Sequence, residues 1–111
     1  MIRYKRPRPK HVAGEMNKLE SAYALHLEWL KRAGEIEDYR FERLKFKLAG
    51  NTFYTPDFLV VKKEFLEIHE VKGFMMEDAN VKLKVAADSF PWFKFVLVTR
   101  EKNIWQFKTY E

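Results

Sequence analysis

The chain has 111 residues with 47% apolar and 16% aromatic content, enough to build one core and too little for a second, so a single small domain is expected. The absence of cysteine excludes disulfides and thiolate metal sites, and the absence of a run of about 18 apolar residues or an apolar leader argues against a membrane-spanning or exported protein. Twenty-one Lys and Arg against 16 Asp and Glu leave a net charge of +5, which favours a polyanionic partner.

Residues 1–14 carry Arg3, Lys5, Arg6, Arg8, Lys10 and His11 around Pro7 and Pro9 and offer little to a core. They read as a flexible basic arm, either solvated or able to track a nucleic-acid backbone, and residues 15–111 as the domain. Between residues 15 and 33, Met16, Leu19, Tyr23, Leu27 and Leu30 recur at helical steps and Gly34 supplies a stop, which predicts an amphipathic helix. Glu20 falls on or beside the buried stripe near the start of that helix. Two roles compete for it: an acid reaching toward a sheet, or the partner of Asn17 in a capping box.

Residues 36–48 alternate loosely, with Leu44, Phe46 and Leu48 opposed to Arg43, Lys45 and Lys47, and Ala49-Gly50-Asn51 turns the chain into residues 52–61. Both stretches read as antiparallel strands. A second hairpin turns at Lys62-Lys63-Glu64, and a loop of about two to four residues sets Asp57 opposite a position between Ile68 and Glu70. Residues two apart in a strand share a face, so Leu66, Ile68, Glu70 and Lys72 form one side that changes from apolar to charged. Burying Leu66 and Ile68 favours a core, whereas ionised Glu70 and Lys72 at the next inward positions cost roughly several kcal/mol unless they pair or hold a metal. An Asp57–Glu70 pair across the hairpin would also repel without a cation between the two acids. The pattern therefore points to a cation-binding site at the edge of the sheet.

Residues 78–89 read as a helix laid on the sheet through Val81, Val85 and Ala86, with Lys82 and Lys84 outward and Pro91 beyond its end. Residues 93–99 and 104–109 then form strands around a polar turn at 100–103. Trp92, Phe93, Trp105 and Tyr110 exceed the apolar surface a small domain readily buries and suggest the pairing face of a homodimer. His69 faces away from Glu70 and reads as a packed residue, and His26 with Glu28 lacks the spacing of a zinc site.

Pro56-Asp57, the strand hairpin and Glu70-Val71-Lys72 resemble the signature of the PD-(D/E)XK nuclease superfamily. More closely, Met16-Asn17-Lys18-Leu19-Glu20, Phe53-Tyr54-Thr55-Pro56-Asp57-Phe58, His69-Glu70-Val71-Lys72-Gly73-Phe74 and Val81-Lys82-Leu83-Lys84 are similar to a family of small phage and prophage proteins described as endonucleases. The similarity spans Met16 to about Thr99. It implies an α/β restriction-endonuclease-like fold, a mixed β-sheet flanked by helices, and cleavage of DNA phosphodiester bonds, including structure-specific or junction-resolving work in phage DNA processing. It further implies Asp57 and Glu70 as metal ligands, Lys72 as the catalytic lysine and Glu20 as the helix acid seen in several branches. Mg2+ would be the cofactor, with Mn2+ able to substitute, and the bacterial cytoplasm the location.

Those residue types suit the reaction. Phosphodiester hydrolysis needs an activated water and a stabilised negative charge, which Mg2+ held by carboxylates can supply. The carbonyl of Val71 lies between the ligands and offers a further oxygen. Lys72 can hydrogen-bond the attacking water or the scissile phosphate. Arg3, Lys5, Arg6, Arg8 and Lys10 of the arm, with Lys82 and Lys84, are candidates for backbone contacts. Three other readings stay open: a non-catalytic nucleic-acid-binding module on the same fold, a protein-interaction domain whose acids form structural ion pairs, and an RNase.

Overall fold

The first helix begins where Asn17 and Glu20 exchange hydrogen bonds. The Glu20 N–H donates to Asn17 Oδ1 at 2.7 Å and the Asn17 N–H donates to Glu20 Oε1 at 2.9 Å, a complete capping box. Helix α1 (Lys18–Arg32) ends at Gly34, whose φ of +79° is the left-handed turn glycine adopts without strain. The computed structural model describes residues 12–74 and 77–111, so Arg3, Lys5, Arg6, Arg8 and Lys10 lie outside the described residues.

After α1 come β1 (Asp38–Phe41), β2 (Phe46–Ala49), β3 (Thr52–Tyr54), β4 (Phe58–Val61), β5 (Leu66–Lys72), α2 (Glu77–Ser89), β6 (Phe93–Glu101) and β7 (Ile104–Tyr110). Five strands form one sheet in the order β1-β4-β5-β6-β7, and β2-β3 is a separate hairpin. Only β5 and β6 run parallel within the five-stranded sheet, and α2 supplies the crossover that such a pair requires. The described residues thus form an α/β fold with a mostly antiparallel mixed sheet. None of their helices is long and apolar enough to cross a membrane.

Alternation along β6 sends side chains to two cores. Val96 and Val98 join Tyr23 and Leu27 of α1 with Phe58, Val60 and Val71, while Phe95 and Leu97 join Ile68, Leu83 and Ala86 on the α2 side. Phe46 and Tyr54 close that second core, so the small hairpin covers α2 rather than extending the sheet.

Several expectations are corrected by this arrangement. Residues 36–48 and 52–61 are each broken in two: Glu42, with φ of +47°, turns the chain after β1, and Pro56 has no N–H to donate between β3 and β4. On α2 the buried residues are Ala79, Asn80, Leu83 and Ala86, whereas Val81 and Val85 are exposed. Ala79, Leu83 and Ala86 share one stripe, and two alanines let the helix approach closely where β-branched valines would hold it off. Lys82 and Lys84 point outward as expected. Leu66 is largely exposed while Ile68 is fully buried. The four C-terminal aromatics do not share one face: Trp92 is exposed, Tyr110 is buried with its hydroxyl donating to Asn80 Oδ1 at 2.6 Å, and Trp105 packs on the α1 side.

The two valines and Leu83 give a direct comparison. Leu83→Ala should lower unfolding free energy in urea by about 2–5 kcal/mol, whereas Val81→Ala should change it by less than about 0.5 kcal/mol. Equal losses would contradict the packing face assigned to α2.

Candidate metal centre

The pairing of β4 with β5 ends at Phe58 opposite His69, which leaves Asp57 facing Glu70 just past the end of the ladder. Carboxylates take over the backbone bonding there. The Val71 N–H donates to Asp57 Oδ2 at 2.8 Å, and the Asp57 N–H donates to Glu70 Oε1 at 3.1 Å. The N–H and C=O of a strand residue point to the same edge, so the Val71 carbonyl also faces the gap left by β4. Asp57 and Glu70 are each only 8% exposed. Lys72 Nζ stands 3.7 Å from Glu70 Oε2, a long and partly solvated ion pair that offsets little of the burial cost.

That cost appears in the protonation of the pair. Burial, then the charge of Glu70 and the presence of Glu20, outweigh the Val71 amide and push the Asp57 carboxyl up to about 9. Burial likewise raises Glu70, although the Lys72 ammonium and the Asp57 amide work against it. At neutral pH the two acids therefore retain a proton between them. Tyr54 is buried against the same group, its hydroxyl pushed upward by burial and by the charges of Glu70 and Asp57. The hydroxyl faces Glu70 without closing a well-formed hydrogen bond to any described residue. Tyr54 escaped the sequence reading because only the fold-back of β2-β3 delivers it to the acids.

Glu20 closes the capping box weighed from the sequence and also stands beside Asp57. One of its oxygens caps α1, and its carboxylate lies close enough to Asp57 to raise that group. It is itself buried, at 6% exposure. Asp57, Glu70, the Val71 backbone and Lys72 are thus brought together at one end of the sheet, with Glu20 beside them.

The donor set suits a hard divalent cation. Asp57 and Glu70 each commit one oxygen to a backbone amide and keep the other, and the carbonyl of Val71 adds a third oxygen at the gap. Among the described residues no group of three or more His, Asp or Glu is gathered tightly enough to form a closed metal cage. Mg2+ does not need one, since it commonly binds through one or two carboxylates and keeps several waters. The residues present fit that coordination style.

A second buried polar network lies on the α1 side. His69 Nε2 donates to Glu67 Oε1 at 2.8 Å, Tyr23 donates to His69 Nδ1 at 2.6 Å, and Lys62 Nζ reaches Glu67 Oε2 at 3.2 Å. Burial holds His69 below its ordinary value, so the imidazole stays neutral there. His69 is a packed residue, as its face on β5 implied. The recurrence of Glu67 and His69 two apart was the available signal for this network. His26 and Glu28 form no shared site, Glu28 being engaged by Arg32 and Tyr39.

No family model, no curated protein and no solved structure matches this chain.

Metal-free stability should report the acid pair. Asp57 is raised in the folded state above its ordinary value of 3.8, so the folded protein binds more protons and stability falls as pH rises through about 9. Asp57→Asn should therefore raise the melting temperature in chelator at pH 8 by more than at pH 5. An equal or larger gain at pH 5 would show that Asp57 is not held protonated.

Proposed function

We propose that this chain is a divalent-metal-dependent endonuclease of the PD-(D/E)XK type that hydrolyses DNA on a restriction-endonuclease-like α/β scaffold. The observation that supports it most is the buried Asp57–Glu70 pair at the break between β4 and β5, with Lys72 two residues beyond. Two sealed acids with one distant lysine are costly in a purely structural role. A cation between them relieves both the burial and the repulsion. The architecture adds support, since a mixed sheet flanked by helices is what the resemblance implies.

In this reading Asp57, Glu70 and the carbonyl of Val71 hold Mg2+ or Mn2+, which when bound supplies a lowered water pKa and neutralises phosphate charge. Glu20 stands next to Asp57 as the auxiliary acid, and its cap on α1 fixes where its carboxylate can reach. Lys72 keeps its ammonium at the edge of the site, where it orients the attacking water and meets charge developing on the phosphate. Lys82 and Lys84 lie exposed on α2, available to neighbouring phosphates, and the basic arm from Arg3 to Lys10 would extend that contact. The proposed setting is the cytoplasm of a bacterial host, with structure-specific or junction-resolving cleavage as the expected specialisation. Two copies would cut two strands, and exposed Trp92 with neighbouring Phe65 is one apolar surface such a homodimer could use.

A second reading, a nucleic-acid-binding module without turnover, draws on one observation: the acids are deeply buried and share a proton when no cation is bound. Cleavage assays separate the two. With Mg2+ the full chain should cut branched or linear DNA, Asp57→Ala and Glu70→Ala should abolish cutting while remaining folded, and Ca2+ should support binding with little turnover. Lys72→Ala should lower kcat far more than affinity, and Lys72→Arg should restore it only in part. Glu20→Gln keeps an acceptor for the Asn17 N–H, so its melting temperature should hold while its activity falls. Wild-type protein that binds DNA but never cuts it under any of these metals would decide for the second reading.

A further inference from the structure

The β6-β7 hairpin closes through Lys102 and Asn103, whose φ values of +51° and +63° give the tight turn that matches strand twist. This sets Arg100 directly across from Trp105, with the guanidinium over the indole at 4.8 Å from the ring centroid. Trp105 is fixed from below by the edge of Tyr23 at 5.0 Å. Arg100 Nε is sealed from solvent and has no hydrogen-bond partner, and no ion pair among the described residues engages the guanidinium. Arginine cannot shed its proton to relieve this. An indole face attracts the cation but offers no lone pair, so the Nε–H is left without an acceptor. Arg100 as a whole stays partly exposed, so the platform is reachable from outside.

Its position indicates what the guanidinium meets. In the parallel register Lys72 lies beside Thr99, which makes Arg100 the next residue past the partner of Lys72, at the carboxyl end of the β5-β6 pair. Ligands of parallel strands collect at that end. Arg100 projects to the face of Val98, two residues earlier, which is also the face that carries α1 and Glu20.

We propose that Arg100, stacked on Trp105, is a phosphate-binding site for the DNA backbone adjacent to the Asp57–Glu70 centre. This rests on the reading of that sheet end as the one that meets nucleic acid. The outer N–H groups of the guanidinium, on a residue that stays partly exposed, can donate together to phosphodiester oxygens, which the planar fork of arginine does and a lysine cannot. Arg100 acts here as a positioning residue that holds the strand on the α1 face, opposite the face of Lys72, at the shared end of β5 and β6.

The test uses the full chain and a fluorescent DNA oligonucleotide, with affinity measured in Ca2+ across a salt series and cleavage in Mg2+. Arg100→Gln should weaken binding several-fold, make the slope of log affinity against log salt shallower by about one, and raise KM by more than it lowers kcat. Arg100→Lys should recover the salt slope but only part of the affinity, which also covers the case in which the Gln variant folds poorly. Trp105→Phe should weaken binding less than Arg100→Gln. Unchanged affinity and slope in Arg100→Gln beside a wild type that cuts would overturn this site alone. Arg100-dependent binding without any cutting would overturn the nuclease reading and leave the site standing. A chain that binds no DNA at low salt overturns both.

Discussion

Two hydrogen bonds between carboxylates and backbone amides organise this molecule: Val71 N–H to Asp57 Oδ2 and Asp57 N–H to Glu70 Oε1. They begin where Pro56 has interrupted the strand and the β4-β5 ladder runs out. Without them the amide of Val71 would be a buried orphan at the end of a central strand. The same bonds fix the two acids at the buried end of β5, with Glu70 Oε2 turned toward Lys72. Structure and prospective chemistry therefore rest on the same atoms.

The electrostatic consequence follows from burial. Two acids at low exposure with only Lys72 at 3.7 Å cannot both ionise comfortably, so the pair keeps a proton when no cation is present. Glu20 deepens this by adding a third acid next to Asp57, whereas the Tyr54 hydroxyl works the other way on Glu70. In the proposed reading a divalent cation would take the place of that proton, held by the acid oxygens at the end of β5. The free guanidinium of Arg100 lies at that same end, whereas the Glu67–His69–Tyr23 network satisfies itself on the α1 side.

What could be read from the sequence was what local geometry dictates. The Asp57–Glu70 juxtaposition was legible because a short hairpin fixes register and strand alternation fixes face. The span of α1 and its stop at Gly34 were legible from periodicity, though its first turn starts later than the apolar spacing suggests because Asn17 caps it. Tertiary choices were not legible. Whether Val81 or Ala79 faces the sheet depends on how close α2 must come to Phe95 and Leu97, which no local pattern encodes. The split of residues 36–61 between the main sheet and a covering hairpin depends on partners distant in the chain, and with it the arrival of Tyr54 at Glu70. Arg100 was invisible for a related reason, since the lack of a partner is a property of the folded surroundings and not of the residue.

The most direct measurement of the central claim is a Mn2+ titration of isotopically labelled protein, without DNA, that follows paramagnetic broadening of backbone amide signals. The account predicts that Asp57, Glu70, Val71 and Lys72 broaden first, that Glu20 follows, that the Glu67–His69 amides farther down β5 respond later, and that Asp57→Ala removes the pattern. Broadening that begins elsewhere, or that persists unchanged in Asp57→Ala, would contradict a metal centre at the break between β4 and β5.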